Sequence, residues 1–216
     1  MRTHHPLRLK TAIRIASLGL FAWTAGCNII PPAQEDATRY YLLSEPMLAG
    51  AGRAEGPGGL KIGLKEIVVA GYLRHREIVV RSGANEVAFK DYERWAEPLD
   101  SSIFRALRAG LLGAPPVGQV LAPPFSLEGE RDCDVSIQVI RCEGTVAPGG
   151  GHTASFAAMV DITTAGAEPR SISRHVFTAP EAAWNGKDYG QLAGLLSHAV
   201  ALLAADISAS LPEKSG

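Results

Sequence analysis

Residues 131–144 read RDCDVSIQVIRCEG, and this stretch sets the fold class of the chain. Apolar and polar side chains alternate along it, with Val135, Ile137 and Val139 on the apolar side. An alternation with a period of two is typical of a β-strand that buries one face. We therefore predict one long strand over residues 132–143, which requires a sheet and an apolar layer to cover it.

The two cysteines of this strand, Cys133 and Cys142, are predicted to stay reduced. They are nine positions apart, and at ~3.3 Å per residue an extended strand holds them roughly 30 Å apart. A disulfide needs Cα atoms within about 7 Å of each other. Because nine is odd, we expect two free, half-buried thiols on opposite faces of the strand.

Further strands and two helices are predicted on both sides of this stretch. Apolar residues recur at helical spacing after Pro98 and again in a long segment that begins at Asp188. This order of elements predicts an α+β fold, a mostly antiparallel sheet with two main helices packed on one face. The predicted strands cover 38–44, 60–69, 77–81, 86–90, 132–143, 152–163 and 170–178, and the helices cover 99–112 and 188–207.

The first 26 residues are typical of a secretory signal. They contain four basic residues and no acidic one, followed by the uncharged run 15–23. That run is too short to cross a bilayer core, which needs about 20 residues. We predict a signal peptide over 1–26, a tether over 27–37 and one folded domain over 38–211.

Cys27 is the predicted attachment point to a membrane. The residues Thr24, Ala25 and Gly26 before it resemble the lipobox of bacterial lipoproteins, although that family usually has leucine where Thr24 stands. The resemblance implies that the sulfur of Cys27 is acylated and that Cys27 becomes the first residue of the mature protein. An ordinary signal peptide and a short N-terminal anchor are the alternatives.

The charge balance excludes some classes of partner. Removal of residues 1–26 would leave 17 basic residues against 22 acidic ones, a net charge of about −5. Nucleic-acid binding depends on neutralising phosphates with lysine and arginine, so no nucleic-acid partner is predicted. A polybasic attachment to anionic lipid is disfavoured for the same reason, and membrane attachment is assigned to the lipid alone.

The sequence carries no recognisable catalytic or metal-binding motif. It lacks a Gly-x-Ser-x-Gly nucleophile elbow, a pair of histidines at zinc-helix spacing and a phosphate-binding loop. His75, His152, His175 and Asp206 are interpreted as surface or packing residues. We therefore predict a protein that is not an enzyme and that has no cofactor beyond the lipid on Cys27.

Three segments resemble those of the ABC-type transport auxiliary lipoproteins, the family that includes the lipoprotein of the paraquat-inducible (Pqi) system. They are TRYYLL at 38–43, IVVAGYLRHREIVVR at 67–81 and ERWAEPLDSSIFRALRAGL at 93–111. The likeness covers roughly residues 38–205.

The resemblance implies a periplasmic subunit without chemistry of its own. It would act beside a periplasm-spanning transporter of the mammalian-cell-entry (MCE) type, which moves phospholipid between the inner and outer membranes, and would dock that transporter at the outer membrane. Asn28 favours the outer membrane, because aspartate at that position signals retention at the inner membrane in enterobacteria; the inner membrane is the alternative. A homo-oligomer is also left open.

The predicted contact with the transporter is the break between two strands at Tyr72, Leu73, Arg74 and Arg76, since these residues leave a strand and cannot all be core. Three other functions remain as alternatives. They are an outer-membrane assembly lipoprotein that partners a β-barrel, an enzyme with an unsignalled site, and a carrier that holds lipid in an internal cavity.

Overall fold

The computed structural model describes residues 35–45, 59–125, 130–166 and 168–213. The predicted signal peptide, Cys27 and most of the tether lie outside the described residues. From Thr38 onward, the described residues form one compact unit.

Ten strands and two α-helices make up this unit, with a short 3-10 turn, Gly71–Leu73, between the third and fourth strands. Both predicted helices are found within two residues of their predicted bounds. In chain order the elements are β1 (Arg39–Tyr41), β2 (Leu60–Leu64), β3 (Val68–Val69), β4 (Glu77–Ser82), β5 (Val87–Trp95), α1 (Leu99–Leu112), β6 (Val117–Leu121), β7 (Cys133–Val146), β8 (His152–Thr164), β9 (Ser171–Thr178), β10 (Ala182–Trp184) and α2 (Tyr189–Ala209).

β7, the strand predicted from RDCDVSIQVIRCEG, lies at the centre of the sheet. One edge of β7 pairs along its length with β2, β3 and β4 in turn, and the other edge pairs with β8. Beyond β4 lie β5 and then β1, and beyond β8 lies β9. The path from β1 to β9 therefore crosses the sheet through β5, β4, β7 and β8.

The sheet is mixed, so the prediction of a mostly antiparallel sheet is wrong. Among the described strands, five pairings are parallel: β1 with β5, β2 with β6, and β2, β3 and β4 with β7. The antiparallel pairings of the described strands are the three hairpins, β4–β5, β7–β8 and β8–β9, and the β8–β10 pair. Parallel neighbours need crossover connections, and α1 lies within the long connection that joins the parallel neighbours β2 and β6.

The α+β class is confirmed, and the helices enclose one apolar core with the sheet. α1 and α2 contact each other, α1 also packs on β6 and α2 on β8. α2 begins at its N-cap Asp188, whose carboxylate accepts a hydrogen bond from the Gln191 N–H at 3.0 Å. It is long and apolar enough to span a membrane, but half of its most apolar window is buried inside the domain. Its buried residues are Leu192, Ala193, Leu196, Ser197, Ala199, Val200, Leu203, Ala204 and Ile207.

A β-bulge at Ile140 gives the two cysteines an environment different from the predicted one. The register of β7 against β8 shifts between Val139 and Arg141, so the residues after the bulge change face. Cys133 and Cys142 therefore both lie on the helix-covered side and are 0% and 1% exposed, not half-buried on opposite faces. Both are free thiols, as predicted.

Burial should make these thiols unreactive in the native protein. It raises the pKa of Cys133 to about 11 and raises that of Cys142 as well, so the reactive thiolate is scarce at pH 8. We expect iodoacetamide at pH 8 to modify neither residue until guanidinium unfolds the chain, when both react. Peptide-level mass spectrometry measures this, and labelling of either residue in the native protein would contradict the packing.

Candidate functional site

The segment that joins β3 to β4 is fixed to the centre of the sheet. The Ala70 N–H donates to the Val139 carbonyl at 3.0 Å, immediately before the bulge in β7. The N–H groups of Leu73 and Arg74 then close a 3-10 turn by donating to Ala70 and Gly71. Since main-chain bonds hold both the turn and its base, the side chains on it have defined positions.

A buried ion pair lies beneath this turn. Arg81 Nε donates to Glu143 Oε1 at 2.5 Å, and the side chains are 17% and 0% exposed. The Arg81 guanidinium also lies 5.5 Å from the ring centroid of Tyr72, within the range of a cation–π contact. The hydrogen bond from Arg81 compensates the charge of Glu143, which would otherwise be costly to bury.

Tyr72 connects the turn to the bulge. Its hydroxyl donates to the Ile140 carbonyl at 3.1 Å, and Ile140 is the residue at which the β7 register shifts. Burial raises the pKa of Tyr72 to about 12, so the phenol stays protonated and keeps donating at physiological pH. The turn, the bulge and the Arg81–Glu143 pair thus form one connected unit.

The exposed part of the turn is basic, and we call Tyr72, Arg74, His75 and Arg76 the turn surface. Arg74 and His75 are exposed, and Arg76 is exposed while donating to the Ala96 carbonyl at 3.2 Å. The His75 ring packs edge-on against exposed Phe89, with centroids 5.3 Å apart.

The structure changes the predicted contact set in one respect. Leu73 is 2% exposed and belongs to the core, so its side chain is not accessible in this conformation. Tyr72 is half-buried, whereas Arg74 and Arg76 reach solvent. Binding of a partner by this set stays a prediction, now carried by Tyr72, Arg74 and Arg76.

Exposed aromatic residues extend this side of the domain along β1 and β5. Tyr40 and Tyr92 are 58% and 61% exposed. Tyr40 pairs with Arg94, two residues beyond Tyr92, so both tyrosines lie on the same face. Tyr41 packs against the core, and Trp95 and Trp184 lie within it. The sequence did not separate the exposed aromatics from the buried ones.

Three side chains are arranged in the order of a serine–histidine–aspartate catalytic triad. His175 Nε2 lies 2.6 Å from Asp206 Oδ2, and its Nδ1 lies 3.3 Å from Ser173 Oγ. Ser173 and His175 are on β9 and Asp206 is near the end of α2, so the pair ties an outer strand to the helix. None of the three lines either of the two surface grooves described next, and a nucleophile needs a substrate site beside it. We assign the cluster to packing.

Two open grooves lie on the surface, and they adjoin at Glu66 and Pro123. The larger, about 650 Å³, is floored by Val68, Gln138 and Met159 on the sheet face away from the helices. The smaller, about 470 Å³, lies beside the start of α1. Within the described ranges no three metal-ligating side chains form a cluster.

Comparison with known proteins then decides the family. A family model described as ABC-type transport auxiliary lipoprotein component matches residues 41–208. This chain belongs to that family. The match runs from β1 to the last turn of α2 and includes the turn surface, the bulge and the Arg81–Glu143 pair.

Solved structures support the fold of this auxiliary lipoprotein. Protein XCC0632 from Xanthomonas campestris is 13% identical, with a TM-score of 0.66, over 79% of this chain and 93% of that one. A second protein, described as uncharacterized, is 17% identical, with a TM-score of 0.58, over 80% and 97%. A search of curated proteins found no match. At these identities the neighbours show the shared fold, and the family description associates the chain with an ABC-type transport system.

Proposed function

We propose that this auxiliary lipoprotein is the non-enzymatic subunit that docks an MCE-type transporter of phospholipid at the outer membrane. The lipid on Cys27 holds it on the periplasmic face of that membrane, and the turn surface contacts the transporter. The protein holds the transporter in place and catalyses no reaction, and by this positioning it supports membrane integrity.

The observation that carries this proposal is the family match over 41–208 together with a cysteine in a lipobox-like setting just upstream. A lipid anchor and a folded domain joined by a short tether suit a part that must stay at one membrane while meeting a partner that spans the periplasm. Ten residues, 28–37, lie between Cys27 and Thr38, and fully extended they reach at most roughly 35 Å.

The chemistry of the turn surface supports a contact with an acidic partner. Arg74, His75 and Arg76 are consecutive and exposed, although the mature domain as a whole is acidic. Complementary charge speeds association and fixes orientation, and like charges across an interface cost several kcal/mol. Arginine and tyrosine are also over-represented among the residues that dominate binding energy.

Charge reversal at Arg74 and Arg76 tests this contact. We expect the Arg74→Glu/Arg76→Glu protein to recover about tenfold less of the MCE-domain protein, because two attractive contacts become repulsive. The measurement is affinity purification from crosslinked membranes with quantitative mass spectrometry. The matched control is Arg108→Glu on the exposed side of α1, which should leave recovery unchanged.

Two results would count against the proposal. Equal recovery by the doubly reversed and control proteins, with unchanged melting temperatures, would show that the turn surface is not the contact. Recovery of a β-barrel assembly protein, with no MCE-domain protein, permease or ATPase in the wild-type sample, would instead favour the alternative role in outer-membrane assembly.

A further inference from the structure

In the part of the chain that the structure describes, no strand pairs with the outer side of β9. Among the described strands β9 pairs with β8 alone, through residues 171–178. It is eight residues long, and its exposed positions are 171, 172, 174, 176 and 178. An unpaired edge presents a row of main-chain donors and acceptors that another extended chain can use.

The direction of these groups follows from one hydrogen bond. The Ala179 N–H donates to the Phe156 carbonyl at 3.0 Å, and in an antiparallel pair this geometry repeats at every second residue. Phe177 and His175 therefore bond to β8, whereas Val176 and Arg174 direct their N–H and C=O groups outward. The outward amides are available without any disturbance of the existing sheet.

The side chains beside this edge form an apolar row on the uncovered sheet face. The register places Val176 opposite Met159, Met159 opposite Gln138, and Gln138 opposite Val68. Of the apolar residues in this row, Val176 is 56% exposed, Met159 is 38% exposed and Val68 is 50% exposed. A strand added beside β9 would continue this row and cover part of it.

The charged residues of β9 indicate which kind of strand would pair with it. Residues 170–178 include Arg170, Arg174 and His175 and no acidic residue. Arg174 uses Nη2 to bind Asp161 at 2.6 Å, yet its side chain remains 67% exposed. Arg174 and Val176 are two residues apart, so their side chains share the uncovered face. An incoming strand that carries an apolar residue and, two positions further along, a glutamate or aspartate on that face would match both side chains.

We infer that β9 is a docking edge for an extended, acidic segment of a partner protein, which adds to the sheet as a further antiparallel strand. This surface is distinct from the turn surface, and the inference does not depend on which transporter the protein serves.

The position of β9 favours pairing with a partner protein over pairing with the tether of the same chain. The tether enters the domain at β1, and five strand spacings, roughly 24 Å, separate β1 from β9. Crossing that distance would use about seven of the ten tether residues and leave too few to pair along β9. Pairing of two copies through β9 would bring two copies of Arg170 and two of Arg174 to one seam, with Asp161 of β8 compensating Arg174 and no carboxylate from either β9 strand. An acidic partner strand removes that repulsion.

The test uses the full lipidated protein in detergent micelles and three capped eight-residue peptides. One peptide repeats Val-Val-Glu-Glu, so that each face carries valine and glutamate two residues apart. The second repeats Val-Val-Lys-Lys, and the third carries proline at the centre of the first sequence. Fluorescence anisotropy measures binding, and hydrogen exchange with mass spectrometry measures protection of residues 171–178. We expect the glutamate peptide to bind about tenfold more tightly than either of the others and to protect that segment.

Two variants separate the main-chain contact from the side-chain contact. Val176→Pro removes an outward N–H that β8 does not use, and proline is tolerated at such edge positions. It should weaken binding about tenfold, whereas Val176→Thr, which keeps the N–H, should bind nearly as the wild type does. Melting temperatures confirm that both variants are folded.

Three results would overturn the inference. They are binding without protection of 171–178, equal binding by the proline and threonine variants, and protection of this segment in the absence of peptide that depends on protein concentration. The last result would assign the edge to a second copy of the chain.

Discussion

Replacement of Cys27 by serine is expected to release nearly all of the protein from the membrane into the soluble periplasmic fraction. Each CH₂ group of an acyl chain contributes about 0.8 kcal/mol to membrane binding, so two or more chains anchor a protein stably. Serine has no sulfur to acylate. Residues 27–216, with a net charge of about −5, contain no polybasic segment that could replace the lipid.

The experiment needs a leader that is cleaved without lipid attachment. Residues 1–26 are therefore exchanged for an ordinary periplasmic signal in the serine protein, so that an uncleaved leader does not hold it on the membrane. Ultracentrifugation gives the distribution, and intact mass confirms that the wild-type chain begins at an acylated Cys27. The melting temperature of the released domain should be unchanged, because its described elements begin at Arg39.

Retention of the serine protein in the membrane would refute the assignment of Cys27 as the sole anchor. The competing feature is α2, whose most apolar window has a mean hydropathy of 1.7. Nine of its residues are buried in the domain, so membrane insertion would require the core to open. Extraction of the retained protein by alkaline carbonate would separate peripheral attachment from an inserted helix.

The helices and the long central strand could be predicted from sequence because their signals are local. Asp188 sits before an apolar segment and caps it, and Gly113 ends the first helix where the periodic pattern stops. The pairing partners could not be predicted in the same way. β2, β3 and β4 align along one edge of β7 although tens of residues separate them from it, and no local pattern encodes a parallel contact at that distance.

The bulge at Ile140 shows the other limit of a pattern of period two. Up to Val139 the apolar residues alternate as the pattern predicts. The extra residue at the bulge then places exposed Arg141 and buried Cys142 on the faces opposite to those that a strict alternation predicts. The same bulge provides the carbonyl that holds Tyr72. The sequence located the break between two strands at Tyr72 but not the buried charge beneath it, since Arg81 and Glu143 are 62 residues apart.

Arg81→Met should destabilise the domain by about 3–5 kcal/mol, because it leaves Glu143 buried without its partner. Glu143 is 0% exposed, so water cannot replace the lost guanidinium. Methionine fills a similar volume without charge. Denaturant unfolding monitored by circular dichroism measures the loss, and the comparison variant is Arg94→Met. Arg94 pairs with Glu77 at 3.2 Å with side chains 39% and 25% exposed, and its loss should cost less than about 1 kcal/mol.

The double variant Arg81→Met/Glu143→Met distinguishes the energetic role of the pair from its positioning role. Removal of both charges should restore stability to within about 1 kcal/mol of the wild type, since apolar replacements of buried ion pairs are often neutral or stabilising. Tyr72 would nevertheless lose the guanidinium that packs on its ring, so we expect faster hydrogen exchange in residues 71–76 at nearly unchanged global stability. If the turn surface docks the transporter, that variant should also recover less partner than the wild type does. Unchanged exchange at the turn would show instead that the bond from Tyr72 to Ile140 is sufficient to hold it, and that the buried pair serves stability alone.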